Sequence, residues 1–424
     1  MKALIFIGLL IVNIQLIAQT TIIHCGQIID GIADKVQKEV SIVIEGNTIT
    51  KIEKGFVEVA DNQKLIDLSE AFVMPGFIDM HVHIESEYSK NSYLQKFTLN
   101  KADKSFQAVN NAKLTLNAGF TTIRDLGGSG VNTALRDAIK KGIIVGPRIY
   151  SVNKSLAITG GHADPTNGYG EHIMCAMPGP ESGVCDGVEE CMKAVRQQVK
   201  LGADWIKITA TAGVLSIAKD GDGPQFTQEE IEAIVHTGKD RGVKVAAHAH
   251  GIEGMQRAIR GGVTTIEHGS YMDEETMELM KKYGTYLVPT ITAGASVADS
   301  AKIDGYFPAI VKPKALAVGP QIQNTFAKAY QAGVNIAFGT DAGVFKHGKN
   351  GKEFELMVEV GMPPMEAIKC ATSINAAVLE NDKIGALATG RFADIVACTN
   401  NPLEDITELQ RIVFVMKDGA VIKD

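Results

Sequence analysis

The chain of 424 residues lacks several signatures that would assign it at once. Its six cysteines contain no Cys-x-x-Cys pair, which excludes a zinc-ribbon reading. It has no block of basic residues, and its net charge of −7 is spread out, so nothing points to nucleic acid. No Gly-rich dinucleotide fingerprint follows an early strand; Asp125-Leu-Gly-Gly-Ser-Gly130 reads as a loop with ordinary turn glycines. What remains is an ordinary globular composition, 45% apolar and 21% charged, long enough to bury a large core.

The N-terminus is different. Lys2 precedes an apolar run to Ala18 with almost no charge, short for a membrane span and set behind a basic start. This reads as a secretory signal peptide over residues 1–18, cleaved after Ala18, with an uncleaved anchor as the alternative. The expected location is therefore secreted or periplasmic, with no stable membrane insertion after cleavage. Export implies a compartment where disulfides persist. Cys175, Cys185 and Cys191 cluster in the Gly/Pro-rich segment His172–Cys191. A Cys185–Cys191 bridge is one pairing this allows, although three cysteines cannot all pair among themselves. Cys25, Cys370 and Cys398 sit in apolar surroundings and read as buried thiols.

From Ala71 onward, short β-branched runs alternate with amphipathic segments. The expected strands are Phe72–His83, Thr121–Leu126, Arg148–Val152, Trp205–Thr209, Lys244–His248, Thr264–His268, Thr285–Pro289 and Val334–Thr340. Between them lie helix-like stretches such as Gly187–Lys200, Thr227–Arg241, Ile252–Arg260, Glu274–Lys282 and Ile322–Gln331. Thr227-Gln-Glu-Glu230 has the form of a capping box. Eight strand–helix repeats predict an α/β fold with parallel pairing, a (β/α)8 TIM barrel over residues 71–383, ahead of a doubly wound open sheet. Both ends alternate in short β-like pieces that are marginal alone. Residues 19–70 and 384–424 are therefore expected to combine into one small β-sandwich.

His81 and His83 end the first apolar run, and in a strand residues i and i+2 share a face. Two imidazoles would then project together, ready to grip one metal ion; two polar residues where a strand meets its loop is the plainer reading. Function in such a barrel sits at the carboxyl ends of its strands. Reading those ends in order adds Lys207, His248, His268 and Asp341 to the pair. Lys207, flanked by apolar residues in Trp205-Ile-Lys-Ile-Thr209, is costly as a buried ammonium unless paired, neutralised or modified. A carbamate formed from its neutral amine and carbon dioxide would offer two oxygens to bridge two metals; snorkelling to water is the plainer reading.

Ala71-Phe-Val-Met-Pro-Gly-Phe-Ile-Asp-Met-His-Val-His83, Ile266-Glu-His268, Gly339-Thr-Asp341 and Gly385-Ala-Leu-Ala-Thr-Gly-Arg-Phe-Ala-Asp-Ile-Val396 resemble the amidohydrolase superfamily. Gly202-Ala-Asp-Trp-Ile-Lys-Ile208, Ile158-Thr-Gly-Gly-His162 and Ala246-Ala-His-Ala-His-Gly251 are similar to its imidazolonepropionase-like branch, which contains metal-dependent Xaa-Pro dipeptidases (prolidases). The resemblance covers nearly the whole mature chain. It implies two divalent metal ions, zinc first, one held by His81, His83 and Asp341, the other by His248 and His268, with carboxylated Lys207 bridging. Nitrogen and carboxylate ligands without thiolate suit zinc, with manganese or iron as alternatives. Two such ions activate water and polarise a carbonyl, so the expected reaction is attack of a metal-bridged hydroxide on an amide. Asp341 is placed to shuttle the water's proton to the leaving nitrogen.

The other candidates carry less. His162, after Thr159-Gly-Gly161, is a catalytic or substrate contact if its loop reaches the metals. His250 shares the face of His248 only if the strand continues, and support from behind the ligands is equally open to it. His347 lies beyond the last strand as a further substrate-contact candidate. Arg124, beside Asp125, could bind a substrate carboxylate, but an internal ion pair fits as well. His24, His172 and His236 read as structural or surface residues. The segment Tyr286–Ala293 carries no acid to select a basic side chain, whereas Asp220 and Asp222 leave a cationic substrate open.

The leading expectation is an exported peptidase acting on Xaa-Pro or Xaa-neutral dipeptides or similar amides. The alternatives are a mononuclear cyclic-amide hydrolase or deaminase of the imidazolonepropionase type, and a non-catalytic exported binding or scaffold protein. A homo-oligomer is left open.

Overall fold

The computed structural model describes residues 20–173, 177–217 and 220–424. The expected signal peptide and Cys175 lie outside the described residues. Eight parallel strands follow one another: β1 (Phe77–Val82), β2 (Phe120–Asp125), β3 (Arg148–Ser151), β4 (Trp205–Thr209), β5 (Lys244–Ala249), β6 (Thr265–His268), β7 (Tyr286–Val288) and β8 (Asn335–Ile336). They form a three-stranded sheet β1-β2-β3 and a five-stranded sheet β8-β7-β6-β5-β4. Isolated backbone bonds join the two, Met80 N–H to Phe338 O (3.0 Å) and Asp341 N–H to His81 O (2.7 Å) at one seam, Asp204 N–H to Ser151 O (2.7 Å) and Leu156 N–H to Lys207 O (2.7 Å) at the other. The architecture is α/β and TIM-barrel-like, with strands bonded as three plus five rather than as one continuous ladder.

Helices cover the outer face, so β1, β2 and β4 are buried along their whole length. The capping box at Thr227 and Glu230 starts the helix Gln228–Asp240, both reciprocal bonds being present. Inside the strands, Met80, Val152, Trp205, Ala246 and Val288 make an apolar plug. Ile206 and Ile208 of β4 instead pack in the core outside it. Alternation therefore dictates that Lys207, two residues past Trp205, points inward above the plug, as does His248 two past Ala246.

Three sequence expectations are corrected. The run Phe72–His83 is not one strand, because Lys64–Pro75 belongs to a separate sheet and β1 starts at Phe77. Pro75 has no N–H to continue a ladder. At this point the backbone changes partners, Gly76 N–H bonding Asp394 O and Phe77 N–H bonding Gly119 O, and a Cβ on Gly76 would lie 2.2 Å from Thr121 Oγ1. Second, the segment after Val288 turns at once into the helix Ile291–Ala301. The carboxylate of Glu353 accepts from the N–H groups of Ile291 (2.7 Å) and Thr292 (2.8 Å), satisfying helix-start donors from far along the chain. Third, the helix read as Ile322–Gln331 begins at Lys312 and carries Pro320 inside it.

The two chain ends do combine, their strands joined in one hydrogen-bonded seven-stranded order. Thr20–Ile28, Gln37–Glu45, Thr48–Lys54 and Lys64–Pro75 join Ile395–Cys398, Phe414–Lys417 and Ala420–Lys423. Ile49 N–H to Arg391 O (2.9 Å) and Ala393 N–H to Asn47 O (2.8 Å) draw its N-terminal edge against the C-terminal segment. That curl encloses a core of its own, including Ile23, Ile42, Val73, Ile395 and Phe414. Cys185 and Cys191 are buried free thiols with Sγ atoms 3.2 Å apart, so this pair is in contact without a bridge. Among the described residues no helix is long and apolar enough to cross a membrane.

Candidate metal centre at the strand ends

His81, His83 and Asp341 converge, with ligand atoms within 4.8 Å of one another. Asp341 Oδ1 lies 3.5 Å from Nε2 of each imidazole. The rings are aimed from behind: Nδ1 of His81 meets Glu267 Oε2 at 2.9 Å, and Nδ1 of His83 meets the Gly127 carbonyl at 2.9 Å. With both Nδ1–H groups donating, the Nε2 lone pairs face Asp341. Burial holds the His81 pKa well below the usual imidazole value and that of His83 down to about 4, so both are neutral near pH 7. Neutral imidazole is the form that ligates a metal. Asp341 Oδ1 is buried with no hydrogen-bond partner. An orphaned carboxylate oxygen facing two imidazole lone pairs fits a cation and little else.

A second convergence joins His248, His268 and His250, again within 4.8 Å. The sequence expectation paired the first two; β5 runs to Ala249, which brings His250 beside them. Nδ1 of His268 meets Thr290 Oγ1 (2.7 Å), Nδ1 of His250 meets Ser270 Oγ (2.7 Å), and Nε2 of His248 faces the Ala212 carbonyl (3.2 Å). Burial keeps these three rings neutral too, His250 at about 3. His268, Thr290 and Asp341 all have positive φ (70°, 52° and 61°), an unfavourable conformation for branched or bulky residues that clusters at functional sites. Gly339 is required for close approach, since a Cβ there would lie 2.4 Å from Val288 and 3.0 Å from the His81 nitrogen.

Lys207 lines the same cavity, 3% exposed. Burial lowers its pKa, opposed by the charges of Glu267 and Asp341, while burial raises that of Asp341. His162 also reaches the site. Its ring stacks on His248 at 4.4 Å, its N–H bonds Gln225 Oε1 (2.9 Å), and its Nδ1 contacts Ser216 Oγ.

Two candidates are corrected. Arg124 is fully buried behind the centre, its Nη2 on Glu267 Oε1 (2.8 Å), its Nε on the Met80 carbonyl (2.7 Å) and its guanidinium over Trp205. It is an internal ion pair and cannot meet substrate. His347 is also turned away, its Nε2 on the Ser86 carbonyl (2.9 Å) and its Nδ1 near Thr115 Oγ1 (3.3 Å), outside the cavity lining. Asp125 accepts from the Ile84 and Gly127 N–H groups and from Asn132, a scaffold role. Asp220 and Asp222 do not line the cavity.

Sequence reasoning missed Glu267, which orients His81 while pairing Arg124, and Asp79, which accepts from the His81 and Thr340 N–H groups and from Asn350. The available signal was an acid inside an apolar, fully buried strand. Thr290 and Ser270 carried no such signal. The cavity measures about 180 Å³. Its floor is the histidines, Lys207 and Asp341, and its wall includes Val214, Ala293, Val297, Val318 and Ile322, with no acid beyond Asp341 among the described residues.

Known proteins are similar to this chain over its whole length. The crystal structure of a Xaa-Pro dipeptidase with bound methionine superposes with a TM-score of 0.93 at 52% identity, covering 96% of this chain and all of that one. A prolidase complexed with N-methylphosphonate-L-proline superposes at 0.86 with 30% identity, covering 96% of this chain and 100% of its own. The ochratoxinase of Aspergillus niger is 33% identical over 96% of this chain and 87% of that protein. Residues 72–422 match the model of the amidohydrolase family. The chain belongs to the amidohydrolase family and is a metal-dependent hydrolase of peptide or amide bonds.

Proposed function

We propose that the protein is an exported dipeptidase that cleaves Xaa-Pro or Xaa-neutral dipeptides and uses two divalent ions, most simply zinc. The observation that carries this reading is the pair of three-ligand clusters facing Lys207 across one cavity, with Asp341 Oδ1 unpartnered between two imidazoles. His81, His83 and Asp341 would hold one ion, His248 and His268 the other, with His250 as a further donor. When bound, the ions supply Lewis acidity and lower the pKa of water. Residues 71–383 form the proposed catalytic unit, residues 19–70 and 384–424 the flanking one, and residues 1–18 the leader.

The chain's own groups supply the rest. Burial favours the neutral amine of Lys207; that amine adds to carbon dioxide, forms an N–C bond and releases one proton, leaving a carbamate with two donor oxygens. Asp341, its carboxyl raised by burial, accepts the proton of the attacking water and returns it to the leaving nitrogen as the C–N bond breaks. His162, fixed by Gln225 and Ser216, presents its remaining ring nitrogen to the substrate carbonyl oxygen. The apolar wall suits a neutral or proline side chain.

A dipeptide library offered to the zinc-loaded mature protein tests the proposal. Turnover of Xaa-Pro or Xaa-neutral dipeptides is expected; strong activity on a cyclic amide without peptide turnover overturns it.

A further inference from the structure

One wall of the catalytic cavity is a loop rather than a strand end. Residues Ala212–Ser216, just after β4, form neither helix nor strand and bring Val214 and Leu215 into the lining beside His162. The loop meets His162 at two points. The ring lies so close on Gly213 that a Cβ there would come within 2.3 Å of its Cε1, and Ser216 Oγ contacts its Nδ1. A hydroxyl that donates to Nδ1 leaves the ring proton on Nε2, the form that can donate to a carbonyl oxygen. Both the place and the tautomer of His162 therefore depend on where residues 213–216 sit.

Two side chains from outside the barrel strands fix that loop. Tyr93, in the helix Ser92–Thr98 between β1 and β2, donates its hydroxyl to the Leu215 carbonyl (3.1 Å). Lys314, in the helix Lys312–Gln331 between β7 and β8, donates its ammonium to the Ser216 carbonyl (2.8 Å). The two anchors are far apart in sequence, yet they end on consecutive carbonyls of the loop. Neither anchor lines the cavity, so neither is placed to touch substrate. The loop's own backbone bonds, Ala212 N–H to Gly223 O (2.9 Å) and Ser216 N–H to Gly213 O (3.1 Å), leave the Leu215 and Ser216 carbonyls to these outside donors.

We propose that Lys314 and Tyr93 are positioning residues for hydrolysis. By anchoring Leu215 and Ser216 they hold the Ser216 hydroxyl against His162 and so aim its Nε2–H at the substrate carbonyl oxygen. The proposal rests on the role given to His162 in the dipeptidase reading above. Lys314, whose hydrogen bond is charge-assisted, carries more of the effect than Tyr93.

The test is a double-mutant cycle on the metal-loaded protein, with metal content and melting temperature matched across the variants. Lys314→Met should lower kcat by about tenfold while KM stays within about threefold of wild type. Lys314→Arg, which keeps a cationic donor, should recover most of the loss, and Tyr93→Phe should resemble Lys314→Met more weakly. In a His162→Gln background, Lys314→Met should cost less than about twofold. An equal loss with and without His162, or a loss confined to KM, overturns the proposal. If wild type hydrolyses no dipeptide, the dipeptidase reading fails, and the nitrogen NMR signals of the His162 ring then decide the anchoring without substrate. A shift away from the Nε2–H tautomer in Lys314→Met supports it, and unchanged signals overturn it.

Discussion

The two clusters of the candidate metal centre differ both in donors, two histidines and Asp341 against three histidines, and in what supports the rings. In the half containing His81 and His83, the rings are held by a buried carboxylate, Glu267, and a backbone carbonyl, Gly127. In the half containing His248, His250 and His268, two rings lean on hydroxyls, Thr290 and Ser270. A carboxylate partner raises imidazole basicity more than a hydroxyl does. On the proposed two-ion reading the first half would be the tighter site, and the second is the one a chelator should empty first. Lys207 lines the cavity between the two clusters, and the proposed carbamate bridge would couple the looser ion to the tighter one.

Removing that coupling has the largest expected effect. Lys207→Ala should lose metal and hydrolysis together, measured as metal content and turnover on the same preparation; full activity with normal metal would remove the bridge. Asp341→Asn comes next. It should keep most metal while kcat falls by about 10²–10⁴, the range of a lost general acid–base group, and near-normal kcat would end its proton role. Glu267→Gln separates the two halves. It should weaken the first site by about 10–100-fold and, by leaving the Arg124 guanidinium buried without its counter-charge, cost about 3–5 kcal/mol of stability. Ser270→Ala should weaken only the second site, by less, in a stepwise chelator titration. Equal effects of the two changes on both sites would contradict the asymmetry.

Acid gives the most graded change. Burial depresses the imidazole pKa values in the folded state, His83 and His162 to about 4 from a usual 6.5. Between those values the unfolded chain binds protons that the folded chain refuses, so stability rises with pH there. The contribution is present above pH 6.5 and is lost as pH falls toward 4. Melting temperature followed across that window, with and without zinc, should decline in both cases and more steeply with metal, since protons compete with the ion for the same nitrogens.

The sequence made some of this legible and concealed the rest for physical reasons. Alternation within a strand is a local property, so Trp205 inward, Ile206 outward and Lys207 inward follow from the chain itself. The same rule marked His81 and His83, and the strand ends supplied His248, His268 and Asp341. Contacts between distant segments are not local. The role of Arg124 depends on Glu267 opposite it, and that of His347 on Ser86 and Thr115, which hold its two ring nitrogens. The helix after Thr290 depends on a carboxylate at Glu353 that no local pattern announces. The terminal sheet shows the same division: its strands are readable piece by piece, but only the pairing of Ile395–Cys398 with Lys64–Pro75 shows how the two chain ends join.

The most direct measurement is the metal stoichiometry of the mature protein while it hydrolyses a Xaa-Pro dipeptide, taken during stepwise removal of metal. Two ions per chain at full activity are expected, with the first to leave abolishing turnover and its return restoring it. One ion per chain at full activity would contradict a bridging Lys207 and favour the mononuclear alternative.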